Sequence, residues 1–154
     1  MAMRFFTFQW WSGHCEQVDV IAEYEEHFEA VRSHLPPTAA HLHDAESLHD
    51  SRVEAFDIDM LANCVILRLT GFSRHDGHER DRRFELRYGG VSRVVFGPSP
   101  EQPLGGPGGF GDLGYDEFDL SPEHRFLHRL LFSTGIELEI TFRSFEYDAR
   151  ESGA

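Results

Sequence analysis

Ile136, Leu138, Ile140 and Phe142 alternate with Glu137, Glu139, Thr141 and Arg143. A period of two sends every apolar side chain to one face, and only a half-buried β-strand can use that pattern. The period recurs upstream. Val65, Leu67 and Leu69 lie opposite Cys64 and Ile66 in an apolar stretch over 63–72, and Phe84, Leu86 and Tyr88 alternate with Arg83, Glu85 and Arg87. Further strands are expected over 52–59, 91–96, 115–120 and 126–132, with Ser133-Thr134-Gly135 as a hairpin turn. A phase slip at Ser144, before Phe145 and Tyr147, predicts a bulge or a change of direction. Only one helical stretch is available to serve as a crossover, so parallel strands are not expected. The sheet is expected to be antiparallel, with Val65, Leu67, Leu69, Phe84, Leu86, Leu138, Ile140 and Phe142 inside.

One segment changes period. Ile21, Tyr24, Phe28, Val31 and Leu35 recur at three and four residues, the stripe of an amphipathic helix. A helix is expected over about 12–35, stopped by Pro36-Pro37. Residues 38–51 read as a His-rich connector, and Phe6, Phe8 and Trp10 alternate as a strand or an extended arm would. Residues 97–114, with seven Gly and four Pro, read as a long loop. A chain of 154 residues suits a single domain over 1–154, able to bury roughly two-thirds of the surface its unfolded form exposes. The expected class is α+β: one N-terminal amphipathic helix packed on a twisted antiparallel sheet of about six strands.

Charge narrows the function. The chain carries 27 acids against 14 basic residues, a net charge of -13, and all its basic residues are Arg. Residues 16–59 hold 12 acids and two Arg. Such a field repels nucleic acid and anionic lipid, so neither is an expected partner; a basic protein is. The cluster Arg74, Arg80, Arg82, Arg83, Arg87 and Arg93 is interleaved with acids and is expected to form cross-strand ion pairs, or to dock a second copy as a homodimer. No signal-peptide pattern opens the chain, and Cys15 and Cys64 form no disulfide framework, so a reducing, cytoplasmic setting is expected.

Candidate chemistry is sparse. His41, His43, His49 and Asp50 are candidate metal ligands in a His/Asp-rich stretch over 41–50, but a turn rarely supplies four converging donors. His124 and His128 would chelate on a helix; on a strand they lie about 13 Å apart. Asp57 and Asp59 would share a strand face, while Asp116 and Glu117 would point to opposite faces. Neither cysteine has an activating motif, and Pro107 interrupts the glycines that a phosphate nest would use. No nucleophile elbow or nucleotide-binding loop is present, and no cofactor is expected.

Arg4-Phe5-Phe6-Thr7 with Trp10-Trp11, the motif Leu48-His49-Asp50-Ser51, and the ending Leu130-Leu131-Phe132-Ser133 through Glu137–Phe142 resemble an uncharacterised bacterial protein family. That family is similar in layout to small acidic immunity proteins of toxin systems. The resemblance implies a bacterial cytoplasmic protein and no catalytic residues. Together with the charge, it leads to the expectation of a non-enzymatic, immunity-like binding module. Glu23, Glu25, Glu26 and Glu29 would meet a basic partner. The alternative is a small metal-dependent hydrolase built on residues 41–50.

Overall fold

A computed structural model describes residues 3–14, 19–75, 78–97 and 109–151. Asp19 opens the first long helix by accepting a hydrogen bond from the Ala22 backbone N–H at 3.1 Å. This helix, α2 (Val20–Val31), follows the single short turn α1 (Phe8–Trp11) and buries Val20, Tyr24 and Phe28. A 3₁₀ turn, Arg32–His34, extends it to Leu35. The expected helix over 12–35 is therefore shorter at its start, and Cys15 and Glu16 lie outside the described residues.

Two expectations are corrected. Residues 38–51 are not all connector, because Pro37–Ala45 forms α3. Pro36-Pro37 does end the preceding helix, but Pro37 then occupies the first turn of the next, where its missing N–H costs nothing. The opening is not a strand either. Thr7 accepts from the Trp10 N–H at 3.2 Å and caps α1, so helix capping overrides the aromatic alternation.

Eight strands follow among the described residues: β1 (Arg52–Asp59), β2 (Cys64–His75), β3 (His78–Gly89), β4 (Arg93–Gly97), β5 (Leu113–Leu120), β6 (Phe126–Phe132), β7 (Glu137–Phe142) and β8 (Ser144–Glu151). All pairings are antiparallel, and the fold is α+β. The strands form two sheets of four, β1-β2-β3-β8 and β4-β7-β6-β5, where about six strands in one sheet were expected. The inner positions are those the alternation marks: Val65, Leu67, Leu69, Phe84, Leu86, Leu138, Ile140 and Phe142 are all buried. Burying each such side chain contributes roughly 1.5–3 kcal/mol. Gly135, at φ +84°, turns β6 into β7 as the sequence predicts.

The slip at Ser144 is a change of sheet. Only Arg143 separates β7 in one sheet from β8 in the other. Beside it the chain crosses the opposite way, from β3 to β4 through Gly90, Val91 and Ser92. The Arg143 N–H donates to the Gly89 carbonyl at 2.9 Å, tying the two crossings together. Gly90 sits at φ +59°, and a Cβ there would lie 2.9 Å from that of Arg143, so the corner requires glycine.

The helices dock on edge strands. The Tyr24 hydroxyl accepts the outward Phe118 N–H of β5 at 2.8 Å, and Thr38 of α3 donates to the Phe145 carbonyl of β8. Helix side chains thus occupy backbone groups that an open edge would leave for another chain. No helix among the described residues is long and apolar enough to cross a membrane. Residues 98–108, most of the expected loop over 97–114, lie outside the described residues; β5 begins at Leu113.

Candidate functional site

α2 has two faces. Its buried stripe turns toward β5, and Glu23, Glu25, Glu26 and Glu29 are all exposed over the opposite half. Glu29 is held by Arg32 at 2.7 Å, and that hydrogen bond keeps its carboxyl below the usual carboxylate range. Arg32 also reaches Asp44 of α3 at 2.7 Å, which lowers the Asp44 pKa in the same way. Glu23 and Glu26 have no ion-pair partner among the described residues. Glu25 reaches across to His43 of α3 at 3.1 Å.

Beside Glu25 lies a cleft of about 430 Å³ between α2, α3, the segment 46–49 and the start of β5. Its aromatic walls come from Phe6, Tyr24 and Tyr115. Its charged lining is Glu25, Glu46 and Asp116, with the imidazoles of His43 and His49. Burial raises the Tyr24 pKa well above its ordinary value, and the negative charges of Asp116, Glu117 and Glu25 push it further the same way. Glu46 is already compensated: both its oxygens accept from Arg82 of β3, and that bond raises the Arg82 pKa.

Asp116 is supported from inside. Its Oδ2 lies 2.7 Å from Nε2 of His128, whose Nδ1 lies 2.7 Å from the Tyr88 hydroxyl. A carboxylate only accepts, so Nε2 carries the proton shared with Asp116, while the Tyr88 hydroxyl holds Nδ1 on the other side of the ring. His128 and Tyr88 are fully buried, and Phe118 stacks on the imidazole at 4.0 Å. Burial, followed by the charge of Asp116, raises the Tyr88 pKa well above its ordinary value. Nothing local in the sequence marks this chain of three residues from three strands.

The neighbouring acids of β5 do structural work on the opposite face. Glu117, fully buried, accepts the backbone N–H groups of Arg4, Phe5 and Phe6 at 2.5, 3.0 and 3.2 Å. Asp119 accepts from His27 at 2.7 Å and from Arg129 at 3.0 Å, and Arg129 also reaches Glu139 at 3.1 Å. Sequence reasoning separated Asp116 from Glu117 by face but did not find either network.

The candidate metal ligands are spread out. His41 and His43, two residues apart on α3, point about 200° from one another. His41 stacks on Tyr147 of β8 with centroids 5.7 Å apart, and His43 stacks on Phe28 of α2 at 3.7 Å. His49 lies 2.5 Å from the Gly114 carbonyl and 3.5 Å from Asp50. No three His, Cys, Asp or Glu side chains converge as a metal site would require among the described residues. His124 lies in a turn at φ +58°, outside the strand that holds His128. Asp57 pairs with Arg68 at 2.6 Å, while Asp59 caps the β1–β2 turn by accepting from Leu61 and Ala62. Of the Arg cluster, Arg82 is taken by Glu46 and Arg87 lies 2.5 Å from Glu85.

No protein-family model matches the chain, and no curated protein matches it. The exposed acidic face of α2 is continuous through Glu25 with a cleft that joins carboxylates to aromatic rings.

Proposed function

We propose that the protein is a non-enzymatic binding module that meets a basic protein partner on the outer face of α2, as an immunity-like protein would. The observation that carries this reading is the exposure of Glu23, Glu25, Glu26 and Glu29 on one half of the helix, with Glu23 and Glu26 unpaired among the described residues. An uncompensated negative face speeds encounter with a positive one and repels partners of like charge. The wider segment 16–59, with 12 acids against two Arg, extends the same field.

The test uses the immobilised protein to capture partners from the native host's lysate, beside the double variant Glu23→Arg/Glu26→Arg. Basic proteins retained by the parent at low salt should be released as salt screens the face, and the variant should fail to retain them. For an identified partner, the association rate should fall about tenfold or more on charge reversal, with little change in unfolding temperature. Captured proteins that are acidic, or capture indifferent to salt and to reversal, would sink the reading.

A further inference from the structure

We propose that the cleft beside α2 receives one arginine side chain of the basic partner, with its guanidinium on Asp116 and Glu25 and its methylene stem along Tyr24 and Tyr115. This inference rests on the reading of α2 as the partner-binding face and names what that face recognises.

Volume and lining select the ligand class. A cleft of about 430 Å³ falls within the ordinary range of ligand pockets. No arginine lines it, and its three carboxylates disfavour an anion. A purely apolar ligand would cover the remaining oxygens of Asp116 and Glu25 without giving them partners, which is costly. Carboxylates set among aromatic rings suit an organic cation, whose charge meets the acids while its hydrocarbon meets the rings.

Hydrogen-bond accounting narrows the choice to a guanidinium. Glu46 has given both oxygens to Arg82. Asp116 has given Oδ2 to His128, and its Oδ1 has no partner among the described residues. Glu25 has given Oε2 to His43, and its Oε1 is likewise unclaimed there. Two separate acceptors on two residues suit the planar, five-donor fork of arginine better than the point charge of lysine.

The walls are already in place. Tyr24 is held by the Phe118 N–H, and Tyr115 is packed against Phe6 at 5.0 Å with Trp10 edge-on at 5.1 Å. Asp116 is fixed by the buried His128–Tyr88 pair. Little side-chain freedom remains to be lost on binding. Glu25 belongs both to the cleft and to the exposed helix face, so a residue projecting from a partner docked on α2 would enter here.

The probe is N-acetyl-arginine methylamide, titrated into the ¹⁵N-labelled full chain and followed by amide NMR. The expected result is a dissociation constant on the order of millimolar, as suits a single side chain. Shifts should be concentrated at Tyr24, Glu25, His49 and Gly114–Asp116. The citrulline counterpart, similar in shape but uncharged, should bind at least tenfold more weakly, and the lysine counterpart should fall between the two. Asp116→Asn should weaken arginine binding at least tenfold; Glu25→Gln, at an exposed position, gives the same test if the first variant unfolds.

Citrulline or lysine binding as tightly as arginine would overturn the assignment. So would shifts confined to other surfaces, or variants that both keep their affinity. If the arginine probe fails while partner capture still depends on Glu23 and Glu26, the cleft assignment falls and the α2 reading stands. If the probe binds and capture ignores α2, the reverse holds.

Discussion

Glu117→Gln changes one oxygen to an amide nitrogen in a fully buried side chain. In the parent, one carboxylate oxygen accepts the Arg4 N–H and the other those of Phe5 and Phe6. Gln keeps one acceptor, and its amide then turns donors toward at least one backbone donor. A stranded buried donor costs about 1–3 kcal/mol, and the lost charge weakens the bonds that remain. Arg129 is not stranded, because Asp119 and Glu139 still hold it at 3.0 and 3.1 Å. The expected loss is therefore about 2–3 kcal/mol, below the roughly 3–5 kcal/mol of a fully broken buried pair. In a chain of this size that lowers the unfolding temperature by roughly 5–10 °C.

The chain's two tryptophans, Trp10 and Trp11, sit just beyond the anchored segment, so their fluorescence reports the arm while far-UV circular dichroism reports the sheets. In urea the fluorescence transition of the variant should precede the dichroism transition, whereas the parent's two should coincide. Amide exchange at Arg4, Phe5 and Phe6 should accelerate selectively. A loss under about 1 kcal/mol with unchanged exchange at those three amides would refute the anchoring argument.

Gly114→Ala tests a close approach, since a Cβ there would lie 2.5 Å from the Trp11 ring; a loss of about 1–3 kcal/mol with a shifted tryptophan emission is expected, and an unchanged spectrum and stability would count against it. Asp119 sets part of the acid limb. Burial alone would raise its pKa, but the hydrogen bonds from Arg129, the Leu120 N–H and His27 outweigh burial and lower it. Its contribution is complete above the ordinary unfolded value of about 3.9, and it is lost as the pH falls through that value toward the lowered folded one. Asp119→Asn should be less stable at pH 7 and lose less between about pH 5 and pH 3 in urea titrations; parallel curves would remove Asp119 from the acid limb.

The strands were legible because one-sided burial stamps a period of two on Ile136–Phe142 and on Val65–Leu69, and the slip at Ser144 marked a real crossing. The second helix was hidden. α3 buries only Ala39 and Leu42, too few to show a period, and a proline pair reads alike whether it ends one helix or also begins the next. The α1 turn was masked by aromatics that alternate by chance, although Thr7 three residues before Trp10 was a usable capping signal. On α2 the acids could be read from the helical wheel. The cleft could not, since Phe6, Tyr24, Glu46 and Asp116 meet only through tertiary packing. One clue was present: Asp116, Glu117 and Asp119 put carboxylates on both faces of a largely apolar strand, so at least one had to be buried and bonded.

The corner at Gly90 and Arg143 has a consequence for strand register. β3 pairs with β8 and β4 with β7, so the two sheets share one folded ladder whose crease holds Gly90, Val91 and Ser92 against Phe142 and Arg143. A one-residue slip of β8 along β3 could not be absorbed locally, because Arg143 alone leaves no slack. It would pull β7 along β6 by the same step and turn Leu138 and Ile140 outward while Glu139 turned in. The register of each sheet is thus tied to that of the other, and a slip in one half would expose the core of both.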